Sequence, residues 1–242
     1  MKQGVTVITP TGDRPEAFAL CWKYMMLQTV KPDEWIVMDD GTTPCKALPY
    51  HLACKSFVKI HRTKKPNEPA HTLPCQLLEA LPFISYDMVL IMEDDDWYSP
   101  NYIERMTKLQ FSNTELWGQG QAVYYHLNGG YYEHGNTDRA SLCQTGFKHF
   151  LIPLVEVVCK DCVRLDSPFV DESLWRVAYV THQVQTELFF EPPLCVGIKG
   201  MPGRKSTRMG LEWGKYTPDP KHHKLRSLIG DDYKNYYPEI RE

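Results

Sequence analysis

The sequence predicts an α/β fold: a mostly parallel sheet with helices on both faces, followed by a smaller antiparallel C-terminal part. Three observations predict it. Short apolar runs alternate with helical periodicity through the first 110 residues, the pattern of strand–helix–strand units. One of these runs, Val89-Leu90-Ile91-Met92, leads straight into Glu93-Asp94-Asp95-Asp96, and wholly apolar strands of this length belong in the middle of parallel sheets. Beyond residue 110 an Asn128-Gly129 pair stands between two strand-like runs, the strongest short hairpin signal.

The elements follow in order. Residues 4–9 are β-branched and end in Pro10-Thr11-Gly12, a first strand and its turn. Asp13 is placed to N-cap the next helix, with Pro15 in its first turn and Glu16 completing a capping box. Phe18, Cys21, Trp22, Met25 and Met26 keep helical spacing to about Gln28, as core packing requires. Trp35-Ile36-Val37-Met38 is a second strand ending in Asp39-Asp40-Gly41, and Ser56–His61 a third. Thr72-Leu73-Pro74 opens a helix lined by Leu73, Leu77, Leu78 and Leu81. After the acid-tipped strand, Ser99 is placed to N-cap a helix from Pro100 to about Gln110. Strands over 122–127 and 131–134 flank the Asn-Gly turn, 143–158 continues as strand and turn, and 168–179 runs from loop into helix. From Pro192 the chain is rich in Gly, Pro and basic residues, with little periodicity. The expected organisation is one domain over 1–195, with a donor half (1–110) and an acceptor half (111–195), and a basic mobile lid over 196–242.

Composition sets the outer limits. A chain of 242 residues with 43% hydrophobic and 24% charged residues is ordinary for a soluble globular protein. No apolar run is long enough to span a bilayer, and no signal peptide precedes Val5, so a soluble, cytoplasmic protein is expected. The eight cysteines form no framework pattern and are expected as reduced thiols; Cys159 and Cys162 make a lone C-x-x-C, without the second pair a structural zinc needs. Net charge is −3 overall, but residues 199–226 hold eight Lys/Arg against two acids. That arm is +6 and the remainder −9, so an acidic body carries a basic arm suited to phosphate-bearing ligands.

Four adjacent carboxylates repel one another, and a divalent cation is the usual way to hold them together. Hard oxygen ligands suit Mn²⁺ or Mg²⁺, with a substrate's phosphates completing the shell. Capping the next helix would need only one such acid.

At this point the sequence resembles the family 2 glycosyltransferases, whose fold is Rossmann-like and of GT-A type. Val5-Thr-Val-Ile-Thr-Pro-Thr-Gly-Asp-Arg-Pro15 is similar to that family's first strand and donor loop. Trp35-Ile-Val-Met-Asp-Asp-Gly41 resembles its second strand, and Glu93-Asp-Asp-Asp-Trp-Tyr-Ser-Pro-Asn-Tyr102 its metal motif. The likeness covers about the first half of the chain. It departs in beginning the motif with Glu93 and in carrying one extra acid. By resemblance, Asp95 is the main metal ligand, with Glu93 towards the ribose or metal; Asp94 and Asp96 stay interchangeable between metal and donor. Pro10, Thr11 and Arg14 would line the nucleotide, and Asp39 or Asp40 would accept a hydrogen bond from the base, although Asp39-Asp40-Gly41 alone also makes a tight turn. The family places its catalytic base at a helix start in the C-terminal half, where Asp171 and Glu172 stand, with Asp171 narrowly preferred. Lys199 and Arg204, in a glycine-containing segment, would hold the leaving diphosphate. His182, His222 and His223 are weaker candidate metal ligands.

The resemblance thus implies a metal-dependent, inverting hexosyltransferase using a UDP-sugar such as UDP-glucose and a hydroxyl acceptor. The basic arm and the missing membrane anchor also suit a hydroxymethylated base in DNA as acceptor. Two alternatives stand beside this reading. A sugar nucleotidyltransferase would carry a Gly-rich basic loop after the first strand, which Thr9–Glu16 is not. A non-catalytic nucleic-acid-binding module would leave the four carboxylates without a role, and its −9 body would repel phosphates.

Overall fold

A computed structural model describes residues 2–46, 49–65, 67–108, 113–181, 183–203 and 216–237. The elements in chain order are β1 (Lys2–Thr11), α1 (Pro15–Leu27), β2 (Glu34–Asp39), β3 (Ser56–His61), α2 (Leu73–Ala80), β4 (Tyr86–Ile91), β5 (Trp97–Tyr98) and α3 (Tyr102–Lys108). The second half holds β6 (Leu116–Gln119), β7 (Gln121–His126), β8 (Gly130–Gly135), β9 (Thr145–Lys148), α4 (Ile152–Arg164), α5 (Val170–Thr181), β10 (Thr186–Phe189), β11 (Cys195–Lys199), β12 (Thr217–Pro218) and α6 (His223–Ile229).

Seven strands form one sheet in the order β10-β6-β9-β4-β1-β2-β3. β4, β1, β2 and β3 run parallel, β9 is antiparallel to both β4 and β6, and β10 runs parallel to β6. A second sheet has the order β12-β8-β7-β11-β5. Helices cover both faces of the first sheet, and alternate strand residues divide between two cores. Val7, Trp35, Val37 and Leu90 pack with Phe18, Cys21 and Met25 of α1 and Ile103 of α3. Ile8, Ile36, Met38, Val89 and Ile91 pack with Leu77 of α2, Val155 and Val158 of α4, and Leu174 and Trp175 of α5. Each such aliphatic side chain contributes about 1.5–3 kcal/mol by leaving water. A strand buried on both faces shows no polar alternation, and all six residues of β2 are buried. Gly146 of β9 lets Trp117 lie flat on the sheet: a Cβ there would stand 2.5 Å from the indole.

Five expectations are corrected. Asp13 does not cap α1, whose N-cap is Arg14 and lacks a side-chain cap bond. Asp13 adopts φ 54° and its carboxylate instead accepts the Thr42 N–H and hydroxyl, at 2.7 and 2.8 Å, tying the loop after β1 to the loop after β2. The helix expected at Pro100 starts at Tyr102, because Trp97 and Tyr98 form β5 by antiparallel pairing with Val196 and Cys195. Ser99 turns its hydroxyl to Asn101 Oδ1. Residues 143–158, expected as strand and turn, include the first half of helix α4. The boundary expected at residue 195 falls inside β11, a buried strand of the second sheet, and α6 buries Leu225 and Ile229 against the main core. Residues 204–215, which include Arg204, Lys205, Arg208 and Lys215, lie outside the described residues, as does His182. Among the described residues no helix is long and apolar enough to cross a membrane.

Candidate active site

Parallel register brings the site together. Ile8 of β1 pairs with Ile91 of β4, so three residues further on Thr11 stands level with Asp94, and the Thr11 hydroxyl donates to Asp94 Oδ2 at 2.6 Å. Thr11 pairs in turn with Asp39 of β2. The carboxyl ends of β1, β2 and β4 therefore form one edge, the place where open α/β sheets bind ligands. Gln76 fixes α2 to that edge, its side-chain amide donating to the Thr11 carbonyl at 2.6 Å and the Met38 carbonyl at 3.0 Å.

An open cleft of about 190 Å³ lies there, lined by Pro10, Arg14, Glu93, Asp95, Asp96, Asp171 and Lys199 among the residues expected from sequence. Arg14 bridges two of the acids, 2.5 Å from Asp94 Oδ1 and 2.7 Å from Asp95 Oδ2. Asp96 Oδ1 accepts the Ile198 N–H at 3.1 Å and lies 3.4 Å from Lys199 Nζ. Were all four carboxylates ionised, they would leave a formal net −2 against Arg14 and Lys199. Burial, reinforced by Asp96 and Asp95, pushes the Glu93 carboxyl up to about 8. Burial also raises Asp94 to about 7 against the pull of Arg14. For Asp95, Lys199 and Arg14 outweigh burial and hold the carboxyl below its ordinary value. Burial raises Asp171 too. The pattern is one of excess negative charge in a low dielectric. A divalent cation would neutralise the −2, and the oxygen donors of Glu93, Asp95 and Asp96 suit a hard ion.

The other expected residues lie elsewhere. Asp94, 1% exposed, is wrapped by Arg14 and Thr11 behind the cleft wall. Asp39 accepts the Gly41 N–H at 3.0 Å and the Cys45 N–H at 2.6 Å, closing the turn after β2, and neither it nor Asp40 lines the cleft. Asp40 Oδ2 lies 3.6 Å from the buried Arg62 guanidinium. Glu172 is exposed on α5, while Asp171 beside it is half-buried and faces the cleft. His222 bonds the Tyr125 hydroxyl at 2.8 Å through Nδ1 and stacks on Tyr237, away from the acids. His223 gives its backbone N–H to Asp219. Gly203, at φ 106°, packs its Cα so closely that a Cβ would meet the Asp13 carbonyl at 2.4 Å. The described part of the 198–203 segment thus rests against the Arg14 loop.

Several cleft residues carry no local signal in the sequence. Residues 70–73 and Gln76 arrive at the start of α2, Tyr124 from β7, Ser141 to Cys143 from the turn before β9, and Phe169 just before α5. Tyr124 donates to or accepts from Ser141 Oγ at 2.7 Å, and Lys199 Nζ sits over its ring at 5.7 Å. From Tyr124 a row of rings continues across the second sheet to Tyr132 and then to His134 and Tyr216.

No family model matches the chain, and no curated protein matches it in sequence. Solved structures do. Residues 1–349 of TarS from S. aureus superpose with a TM-score of 0.55 at 12% identity, over 82% of this chain and 60% of TarS 1–349. The same TarS segment in complex with UDP-GlcNAc gives 0.53 at 12% identity, over 88% and 62%. A mannosyltransferase of Pyrobaculum calidifontis, in complex with GDP-Man and Mn²⁺, gives 0.54 at 12% identity, over 99% of this chain and 64% of that one. The chain therefore spans less than two thirds of the length of each of these proteins, and at such identity the likeness is one of fold. The mixed α/β architecture, with its mostly parallel first sheet, is a fold these glycosyltransferases share.

Proposed function

We propose that the chain is a metal-dependent, inverting glycosyltransferase of family 2, GT-A type, moving a hexose from a nucleoside-diphosphate sugar to a hydroxyl. The observation that carries this reading is the meeting of Glu93, Asp95, Asp96, Arg14, Lys199 and Asp171 in one cleft at the ends of β1 and β4. Glu93, Asp95 and Asp96 would hold Mn²⁺ or Mg²⁺. When bound, the ion supplies charge neutralisation for the leaving diphosphate. Pro10 shapes the wall against the nucleotide, and Arg14 and Lys199 offer charge-assisted bonds to phosphate once a donor competes for them. Arg204, outside the described residues, is proposed to join them. Asp94 acts by orienting Arg14, and Asp39 and Asp40 by shaping the base end of the edge.

Asp171 is the proposed base. It takes the proton of the acceptor hydroxyl as that oxygen attacks the anomeric carbon and the diphosphate leaves. Burial raises its pKa, which keeps it basic enough to do so, and it lines the same cleft as Glu93. Glu172, exposed beside it, is the alternative that the same variants test. The ring row from Tyr124 to Tyr132 supplies a surface on which an acceptor ring can stack. A hydroxymethylated base in DNA is the acceptor we propose from that surface and the basic residues of 199–226, and UDP-glucose the donor.

Calorimetric titration with UDP, GDP and CDP, with and without Mn²⁺, tests the reading. One nucleotide should bind in a metal-dependent way and be lost in Asp95→Ala. Binding of none would overturn it. Transfer to small acceptors but not to hydroxymethylated DNA would overturn the acceptor assignment alone.

A further inference from the structure

Next to the acid cleft, three side chains from distant parts of the chain converge on a different chemistry. A carboxylate oxygen of Asp96 and the sulfurs of Cys143 and Cys195 lie within 4.8 Å of one another, and all three residues are buried. Antiparallel pairing of β5 with β11 puts Cys195 opposite Tyr98, two residues beyond Asp96, while Cys143 enters from the turn before β9. The Cys143 thiol is hydrogen-bonded to Asp96 and to Cys195, and both cysteines are free. A fourth polar group is close by and has no hydrogen-bond partner among the described residues: the Tyr98 hydroxyl, on a residue 1% exposed, within electrostatic reach of Cys195, Cys143 and Asp96. Buried hydroxyls are seldom left so. Cys143 also lines the cleft, so the cluster opens onto it.

We propose that Asp96, Cys143 and Cys195 form a binding site for a thiophilic divalent cation of the Zn²⁺ type, distinct in chemistry from the oxygen site proposed for Mn²⁺ or Mg²⁺. Two sulfurs and one oxygen are a zinc-type donor set, which the harder ions avoid. Ligands around a tetrahedral ion at bond lengths of about 2.0–2.3 Å lie about 3.3–3.8 Å apart, so atoms within 4.8 Å of one another need close by no more than about 1–1.5 Å. The charge also balances. Binding converts two thiols to thiolates and releases two protons, so the 2+ ion replaces two 1+ charges and the buried cluster with Lys199 keeps its net charge. The Tyr98 hydroxyl then has a thiolate to donate to, and the cleft side is left for water or a substrate oxygen. Where Zn²⁺ draws the Asp96 carboxylate away from the oxygen site, its occupation would inhibit the transferase. That consequence alone rests on the function proposed above.

Cobalt(II) is the probe, titrated into the metal-free full chain. The expected result is one ion per chain, a thiolate-to-cobalt charge-transfer band, about two protons released per ion, and displacement by Zn²⁺. Cys195→Ser and Cys143→Ser should each weaken Co²⁺ binding at least tenfold and diminish the band, while Cys162→Ser leaves both unchanged. Since a core variant can fail to fold, X-ray absorption of the zinc-loaded wild type gives an independent reading, with two sulfur ligands expected. No band, fewer than one proton released, a band that survives loss of either cysteine, or a zinc shell without two sulfurs would each overturn the site. A wild type that shows the band yet binds no nucleotide would leave this site standing and remove the transferase reading instead.

Discussion

Replacing Arg14 by methionine tests the electrostatics of the cleft most directly. The guanidinium lies 2.5 Å from Asp94 and 2.7 Å from Asp95, with its side chain 15% exposed and Asp94 fully covered. Methionine keeps most of the aliphatic packing and removes the charge, so the four acids face only Lys199 and the local net charge goes from −2 to −3. Removing one partner of a buried pair costs about 3–5 kcal/mol, because the charge left behind is uncompensated; the open side of the cleft places Arg14→Met at the lower end, about 3 kcal/mol. Adding Asp94→Asn returns the charge to −2 and leaves the Thr11 hydroxyl a partner, so the double variant should recover about 1.5–2 kcal/mol of the sum of the single effects, a coupling within the range of contacting residues. Urea unfolding at pH 7 in chelator, with unchanged m-values, measures all four corners of the cycle. A cost below about 0.5 kcal/mol for Arg14→Met, the level of an ordinary surface change, or strict additivity with Asp94→Asn, would refute the argument that the pair is a buried, charge-limiting contact.

Other outcomes follow from the same geometry. Asp171→Asn should lower kcat by about 10²–10⁴, the usual worth of a general base, with nucleotide binding retained, whereas Glu172→Gln stays near wild type. Burial raises the Asp171 pKa and the base works unprotonated, so kcat should fall with decreasing pH through a value above the ordinary aspartate range; a flat profile would remove Asp171 from the role. Asp39→Ala frees the N–H groups of Gly41 and Cys45 and should cost about 1–3 kcal/mol of stability, read as a lower urea midpoint. Asp96→Ala orphans the Ile198 N–H and removes the ion-pair partner of the half-buried Lys199, while Asp95→Ala leaves Arg14 still paired with Asp94. Asp96→Ala should therefore destabilise by about 3 kcal/mol or more and Asp95→Ala by about 1 kcal/mol; the reverse order in urea unfolding would contradict the partner assignment. Gly146→Ala forces a methyl against the Trp117 indole and should cost about 1–3 kcal/mol by overpacking.

The parallel half of the fold was legible because its signals are local. The central strands β1, β2 and β4 are apolar runs closed by Gly, Pro or acidic residues, and burial makes β2 continuous; the edge strand β3 is half-buried and β-branched enough to show. Ser56–His61 and the Asn128-Gly129 hairpin needed nothing more. Helix α4 was legible in principle: Val155, Val158, Cys159 and Cys162 follow helical spacing and all are buried, so the cysteine pair is a part of its core face. β5 and the five residues of β11 were not legible, since neither is long enough to declare itself: β5 pairs with β11 across about a hundred residues, and β11 is held between β5 and β7. The site divides the same way. The acids, Arg14 and Asp171 carry chemistry in their own neighbourhoods of sequence, whereas Tyr124, Cys143 and residues 70–73 reach the cleft through crossovers that no local pattern encodes. Asp13 shows the opposite failure, a strong capping signal overridden because its carboxylate finds Thr42, a residue brought close only by the pairing of β1 with β2.

The acid run is also the seam of the molecule. β4 belongs to the seven-stranded sheet and β5 to the five-stranded one, and Met92 to Asp96 is the chain that passes between them. Its four carboxylates divide along that passage. Asp94 is turned back to β1 through Thr11 and Arg14, and Asp96 is turned forward to β11 through Ile198 and Lys199. Glu93 and Asp95 are left facing the cleft between. The same four residues therefore join the two sheets and concentrate negative charge where they meet, so anything that neutralises the charge also tightens the joint. On this argument a bound cation should stabilise the contact between β5 and β11 as well as occupy the cleft. Hydrogen exchange at Ser99 and Ile198, whose N–H groups donate to the Leu194 carbonyl and to Asp96, should slow together when Mn²⁺ and a nucleotide bind.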